Sequence, residues 1–362
     1  MPQNYDVIHF EALGEESLHL KEETIAAQEK GLLPADLRYL IVPDSLQEFT
    51  EKHPEEQLPP LITIKTHSIL PEDYLKHGEK KSIITRSAGY DHLETLADRA
   101  NITSLRNYCV NAVAQTAVKF LYATTGLLNH YTVNTATFER NKTDSFMELA
   151  PNRVVTVFGV GKIGKRIFDL VAANGLTVQA VDARAQELSH LYGGQMRFVT
   201  KEEAIRTSDI FINAMNLTRT PTSPYYNENY FSYEYLRQAK PSLIFINVTR
   251  GEIAPESALL RLYDEGVLGG LGLDVFSSEN NFSLAVQKGQ VQPVDARVAA
   301  ALVLLQKAES RMGNIYVQPH QGFNSDLAVA SKAADTICHM VEWYRRGKTG
   351  FGEQLPYYRQ VI

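Results

Sequence analysis

Short apolar runs rich in β-branched residues recur along this chain, separated by longer stretches with helical spacing. In the first third the runs are Val7 to Phe10, Tyr39 to Val42, Leu61 to Lys65 and Ser82 to Thr85. From residue 150 onward they are Val154 to Phe158, Thr177 to Val181, Ile210 to Ala214, Leu243 to Val248, Leu271 to Val275 and Ile315 to Val317. Several are continuously apolar, as parallel strands covered on both faces are. Strands alternating with helices predict an α/β architecture, here two doubly wound parallel-sheet domains. Asn111 to Leu128 reads as a long, largely apolar helix joining the halves, and the polar stretch Glu139 to Asn152 leads into the second set of strands. Helical spacing returns from Ala328 to Arg345. Ser277 to Gly313 shows no clear strand and reads as a loop and a helix before the last strand.

Length agrees with this division, because 362 residues exceed one typical domain. A net charge of -6 with no Lys/Arg block argues against a nucleic-acid partner. Cys109 and Cys338 are the only cysteines and cannot form a disulfide framework, which fits a reducing cytoplasm. No signal peptide is visible and no apolar stretch reaches the roughly 20 residues of a membrane span, so the expectation is a cytoplasmic protein without membrane or metal partners.

Candidate chemistry begins where Val154 to Phe158 runs into Gly159-Val160-Gly161-Lys162-Ile163-Gly164, followed by a helical pattern. This is G-x-G-x-x-G between a strand and a helix, the context a dinucleotide turn needs. Gly159 permits the tight turn, Gly161 lets the pyrophosphate approach the backbone, and Gly164 lets helix and strand pack closely. Lys162 and Ile163 open the helix whose N–H groups would face the phosphates. The next strand ends at Asp182, where a carboxylate would hold ribose hydroxyls and favour NAD over NADP. Arg184, two residues on, pulls the other way.

Three titratable residues follow apolar strands of the second half: Arg250 in Asn247-Val248-Thr249-Arg250-Gly251, Glu279 after Asp274-Val275-Phe276, and His320 in Gln318-Pro319-His320-Gln321-Gly322. Ligands of such sheets bind at the carboxyl ends of the strands. Hydride reduction of a ketone leaves an alkoxide that must receive a proton, and His suits that task near neutral pH. A carboxylate partner would keep the proton on the imidazole until it is needed. Arg can hold a substrate carboxylate with two parallel bonds and polarise the adjacent carbonyl. Each residue alone is more often a surface or structural group. It is the set, beside a dinucleotide turn, that points to catalysis.

On these motifs the chain resembles the D-isomer-specific 2-hydroxyacid dehydrogenase family, and within it the D-lactate dehydrogenases. The resemblance rests on Ser-Ala-Gly-Tyr-Asp at 87–91, the GVGKIG turn, NVTRG at 247–251, GLDVF at 272–276 and the Pro-His pair at 319–320. It implies His320 as acid/base, Glu279 as its partner and Arg250 as substrate anchor. Asp274 and Thr249 would contact the cofactor. Backbone N–H groups at Ala88 and Gly89 would meet the substrate carboxylate, with Tyr108 and Phe323 as pocket walls and His67 on a substrate-facing loop. The fold implied is a Rossmann NAD-binding domain (108–322) inserted into a flavodoxin-like substrate domain (1–107 and 323–362), assembled as a homodimer. The reaction implied is NAD-dependent interconversion of a small 2-keto acid and a D-2-hydroxy acid, pyruvate and D-lactate first. Hydroxypyruvate, glyoxylate or a bulkier keto acid is an alternative, and a non-catalytic NAD sensor of the same fold is another. The chain departs from the family in having Ser277-Ser278 where Glu-Pro is common, Met215-Asn216 where Val-Pro is common, and Gln115 for a common Glu.

Overall fold

The structure, a computed structural model, describes residues 4–76, 80–140, 144–288 and 295–357. The chain divides into two compact units, Met1–Cys109 with Asn324–Ile362, and Val110–Phe323. The breaks fall two residues and one residue later than 107/108 and 322/323. Tyr108 packs against the apolar core of the first unit, while the Phe323 ring stands edge-on to His320 of the second.

The first unit holds β1 (Val7–His9), β2 (Tyr39–Ile41), β3 (Leu61–Ile64), β4 (Ser82–Thr85) and β5 (Asn101–Ser104). All are parallel, in the order β2-β1-β3-β4-β5, and β1, β3, β4 and β5 are wholly buried. This is the flavodoxin-like order, with its reversal between β1 and β3. The first helix, Glu15–Glu29, packs against the last, Ala328–Arg345, which returns the chain to this unit. Trp343 of that last helix is buried and donates its Nε1–H to Ser82 Oγ on β4 at 2.8 Å. β5 is absent from the sequence reading. Its Asn-Ile-Thr-Ser has one apolar residue, and its polar side chains are met from the far end of the chain: Asn101 donates to the Thr349 carbonyl, and Ser104 bonds the Tyr357 hydroxyl.

The second unit holds β6 (Val154–Phe158), β7 (Thr177–Val181), β8 (Ile210–Asn213), β9 (Leu243–Asn247), β10 (Leu268–Leu273) and β11 (Ile315–Val317). These are parallel in the order β7-β6-β8-β9-β10-β11. A single parallel bridge from Ala180 to Phe198 stands outside β7 where a Rossmann sheet has a further strand. The reversal of strand order lies between β6 and β8. The helix Val110–Thr125 lies on β10 so closely that a Cβ on Gly272 would fall 2.6 Å from Phe120 Cβ. Gly269 and Gly270 break the apolar run of β10, which begins at Leu268 where the sequence pattern suggested Leu271. Between Ser277 and Gly313 the described residues form two helices, Glu279–Lys288 and Ala296–Glu309, where one was expected.

Candidate active site

Strand register brings the candidate residues of the second unit to one edge. Val181, Phe158, Asn213, Asn247, Leu273 and Val317 lie side by side across the sheet. Just past this row come Asp182, Gly159, Thr249 and Arg250, Asp274, and His320. Every one is therefore at the carboxyl ends of the strands, where open α/β sheets bind ligands.

In the glycine turn, Gly159 has φ +78°, and a Cβ there would lie 2.8 Å from Met215 Cα. A Cβ on Gly164 would lie 1.8 Å from the Gly159 carbonyl oxygen, so only glycine lets the helix Lys162–Ala172 start this near the strand. Gly161 caps that helix with no side-chain bond, and the space its Cβ would enter is open. Asp182 fastens the turn, its Oδ2 accepting the Val160 N–H at 2.8 Å and its Oδ1 the Arg184 N–H at 2.8 Å. Lys162 is exposed on the first turn of the helix, and Ile163 is half-buried beside it.

His320 and Glu279 meet. The His320 Nδ1 is 2.7 Å from Glu279 Oε2, so the ring nitrogen donates to the carboxylate and Nε2 becomes the working atom. Glu279 opens the helix Glu279–Lys288, where the unpaired amides favour negative charge, and its Oε1 accepts the Phe276 N–H at 3.3 Å. His320 stands at φ +49°, a left-handed conformation uncommon outside glycine. Asp274 holds it there. The Asp274 carbonyl accepts the His320 N–H at 2.7 Å, and its buried carboxylate accepts from Gln318 Nε2, the Gln321 N–H and the Gly322 N–H at 2.8–3.1 Å. Burial raises the Asp274 carboxyl above the usual range, against the pull of the Gln318 bond, the His320 charge and the backbone donors. Asp274, read from sequence as a cofactor contact, thus supports the turn that presents His320.

Arg250 is half-buried after β9, and its Nη1 donates to the Thr249 carbonyl at 2.9 Å. The turn beneath it is built by asparagines. Asn213 at the end of β8 donates to Asn247 Oδ1 at 2.9 Å and to Thr249 Oγ1 at 3.0 Å, while Asn247 donates to the Arg250 carbonyl at 2.9 Å.

Of the remaining candidates, Ala88, Gly89, Tyr108 and His67 lie in the first unit. Ala88 and Gly89 follow β4, where Ser87 Oγ donates to the Gly89 carbonyl at 2.7 Å. Tyr108 packs on that unit's core with the Lys332 ammonium 5.0 Å from its ring centre. The His67 side chain is exposed, with Nδ1 3.3 Å from Glu11 Oε1. Phe323, by contrast, belongs to the second unit, its ring centre 6.2 Å from that of His320.

The sequence model for the NAD binding domain of D-isomer specific 2-hydroxyacid dehydrogenases matches residues 121–322. The chain belongs to this family. It is similar to a D-specific alpha-keto acid dehydrogenase of Enterococcus faecium, 25% identical over 276 residues covering 75% of this chain and 78% of that one. It is equally similar to a glycerate dehydrogenase of Methylorubrum extorquens, 25% identical over 277 residues, 74% and 77% of the two chains. Its fold superposes on a D-lactate dehydrogenase from Aquifex aeolicus complexed with NAD and lactic acid with a TM-score of 0.74, at 21% identity over 96% of this chain and 98% of that one.

As a member of this family the dehydrogenase uses NAD. Its residues fit the cofactor: Gly161 leaves an open cradle at an uncapped helix N-terminus, and Asp182 directly follows the neighbouring strand. Sequence reasoning missed the Asn213 and Asn247 scaffold of the dehydrogenase, although both apolar strands end in Ile-Asn, a signal that was legible. It also missed a buried cluster in the first unit. The fully buried Arg86 donates to Glu16 Oε1 at 3.0 Å, to Thr63 Oγ1 and to the Phe10 carbonyl, and Glu16 also pairs with Lys65. Beside it, burial and the Arg86 charge depress the His9 imidazole to about 3. Among the described residues no helix is long and apolar enough to cross a membrane, and no His/Cys/Asp/Glu group could hold a metal ion.

Proposed function

We propose that this dehydrogenase reduces a small 2-keto acid to the D-2-hydroxy acid, with pyruvate to D-lactate as the leading case. The observation carrying the reading is the 2.7 Å bond between His320 and Glu279, in the same unit as the glycine turn. NADH, when bound, supplies the hydride. His320 delivers the proton from Nε2 to the carbonyl oxygen as negative charge develops there. Glu279 fixes the tautomer and stabilises the imidazolium. Arg250 binds the substrate carboxylate and polarises the reacting carbonyl. Phe323, whose ring stands edge-on to His320, is proposed as a wall that suits a short tail. The glycerate dehydrogenase relative favours hydroxypyruvate as a second substrate. A methylene or hydroxyl at the tail is worth only about 1–3 kcal/mol in an apolar pocket, so the two differ in degree. We further propose a cytoplasmic homodimer.

The test is NADH oxidation across pyruvate, hydroxypyruvate, glyoxylate and branched 2-keto acids, by the wild type and by His320→Asn. Pyruvate should give the highest kcat/KM, and His320→Asn should lower kcat at least about 100-fold with NADH affinity kept. Wild-type protein that binds NADH and oxidises it with none of these acids would leave the cofactor-sensor reading in its place.

A further inference from the structure

Glu256 is a buried acid that the chemistry above does not use. It begins the helix Glu256–Asp264 and is 2% exposed. Its Oε1 accepts the Ser277 N–H, and its Oε2 is buried with no hydrogen-bond partner. The Ser277 amide lies at the start of the turn that delivers Glu279. Phe276, one residue before it, donates its N–H to Glu279, and Ser278, one residue after, stands at φ +49°. Such a conformation is strained for a non-glycine residue and persists where its surroundings impose it. The loop of Arg250 also packs closely on the same peptide, with room for glycine alone: a Cβ on Gly251 would lie 2.1 Å from both the Phe276 carbonyl carbon and the Ser277 nitrogen. One peptide is thus held by Glu256 and lined by the backbone of the Arg250 loop, and Glu279 follows it two residues later to reach His320.

We propose that Glu256 is a positioning residue for the acid–base pair, fixing the Ser277 amide so that the Phe276–Glu279 turn aims the Glu279 carboxylate at His320. This rests on the reading of His320 and Glu279 as that pair. The surroundings favour the uncharged acid. Burial pushes the Glu256 carboxyl up to about 7, although backbone N–H donors, that of Ser277 first, and the charge of Arg297 pull the other way. A neutral acid can accept the Ser277 N–H through one oxygen and donate through the other, toward the buried Ser277 Oγ. The other charged groups around the turn are Glu252, which accepts the Ser278 N–H at 3.5 Å, and Arg219, which pairs with Glu252 at 2.8 Å.

Glu256→Gln keeps an acceptor for Ser277 and matches the neutral acid. Glu256→Leu fills the space without one. Glu256→Asp keeps a polar helix start but withdraws the acceptor by one methylene, so the Gln–Asp comparison decides if the Leu variant does not fold. Two readouts are needed, kcat and KM with the keto acid, and the low-field NMR resonance of the His320 Nδ1 proton held by Glu279. The NMR readout needs no turnover, so it stands even if no keto acid is reduced. Leu and Asp should lower kcat about tenfold or more with the KM for NADH within about twofold, and should lose the low-field resonance. Gln should retain both. Leu or Asp variants that melt earlier while keeping the resonance and kcat would overturn the proposal, as would a Gln variant as impaired as Asp.

Discussion

Arg250 answers two demands with one guanidinium. Its Nη1 braces the loop by donating to the Thr249 carbonyl, and the planar fork has five donors in all. Arg250→Lys keeps the charge and removes the fork, so KM for the keto acid should rise and kcat should fall together. If Arg250 only braced its loop, melting temperature would drop while kcat/KM per folded molecule stayed level. Measuring both on one preparation separates these outcomes. Asp182 likewise has two tasks, because its Oδ2 already fastens Val160 of the glycine turn. Asp182→Ala should raise KM for NADH and erode the preference over NADPH, with Arg184 adjacent to receive a 2′-phosphate. A wild type with higher kcat/KM for NADPH would refute the ribose assignment. The residues readable from sequence are those whose chemistry is announced by local spacing: the glycine turn, and Arg, Glu and His each just after an apolar run. The unread ones act through partners distant in sequence. Arg86 reaches Glu16 and Thr63 across the first unit, and Glu256 reaches Ser277, so neither shows a local pattern.

At the level of elements, the strands read most easily are those with a local run of apolar and β-branched residues, such as Val154–Phe158 and Thr177–Val181, whose limits match the sequence pattern. Elements went unread where a neighbour supplies what the segment lacks. β5 depends on Asn101 and Ser104 meeting Thr349 and Tyr357, and Gly272 of β10 depends on Phe120 of the helix Val110–Thr125 filling its space. The helix Glu256–Asp264 raises a question of the same kind, because its first residue is an acid in a dry place. The Glu256 carboxyl is raised from 4.5 to about 7. An acid raised in the fold contributes stability that is fully present below 4.5 and is lost as pH climbs to about 7. Two and a half pH units correspond to about 3 kcal/mol. Glu256→Gln does not titrate, so the melting temperature of this variant minus that of the wild type should grow from pH 4.5 to about pH 7 and stay constant above. A difference that is flat across that window would mean the acid is not held neutral.

For the whole molecule the open question is what covers the apolar residues that neither unit buries. In the second unit they concentrate over a short stretch: Tyr122, Leu128, Tyr131, Val133, Phe138 and Phe146 are between 38% and 79% exposed. A monomer seldom leaves so many large side chains in water in one segment. Most are aromatic or aliphatic residues on the short helix Leu128–Asn134 and its flanks, and the Tyr131 and Phe146 rings lie 6.4 Å apart. The homodimer proposed from the family would cover them by applying the same surface on both subunits, since a two-fold interface is self-complementary. That symmetry sharpens the test, because one substitution alters the interface twice. Leu128→Glu is a suitable probe, being 56% exposed and outside the glycine turn and the His320 pair. Light scattering coupled to size exclusion should give twice the chain mass for the wild type and a shift toward the single-chain mass for Leu128→Glu at micromolar concentration. Circular dichroism should show the variant folded, because an exposed position does not need the leucine for its core. A wild type that runs as a monomer, or a variant that remains a dimer of unchanged stability, would exclude this face as the subunit interface and leave its exposed side chains to another partner.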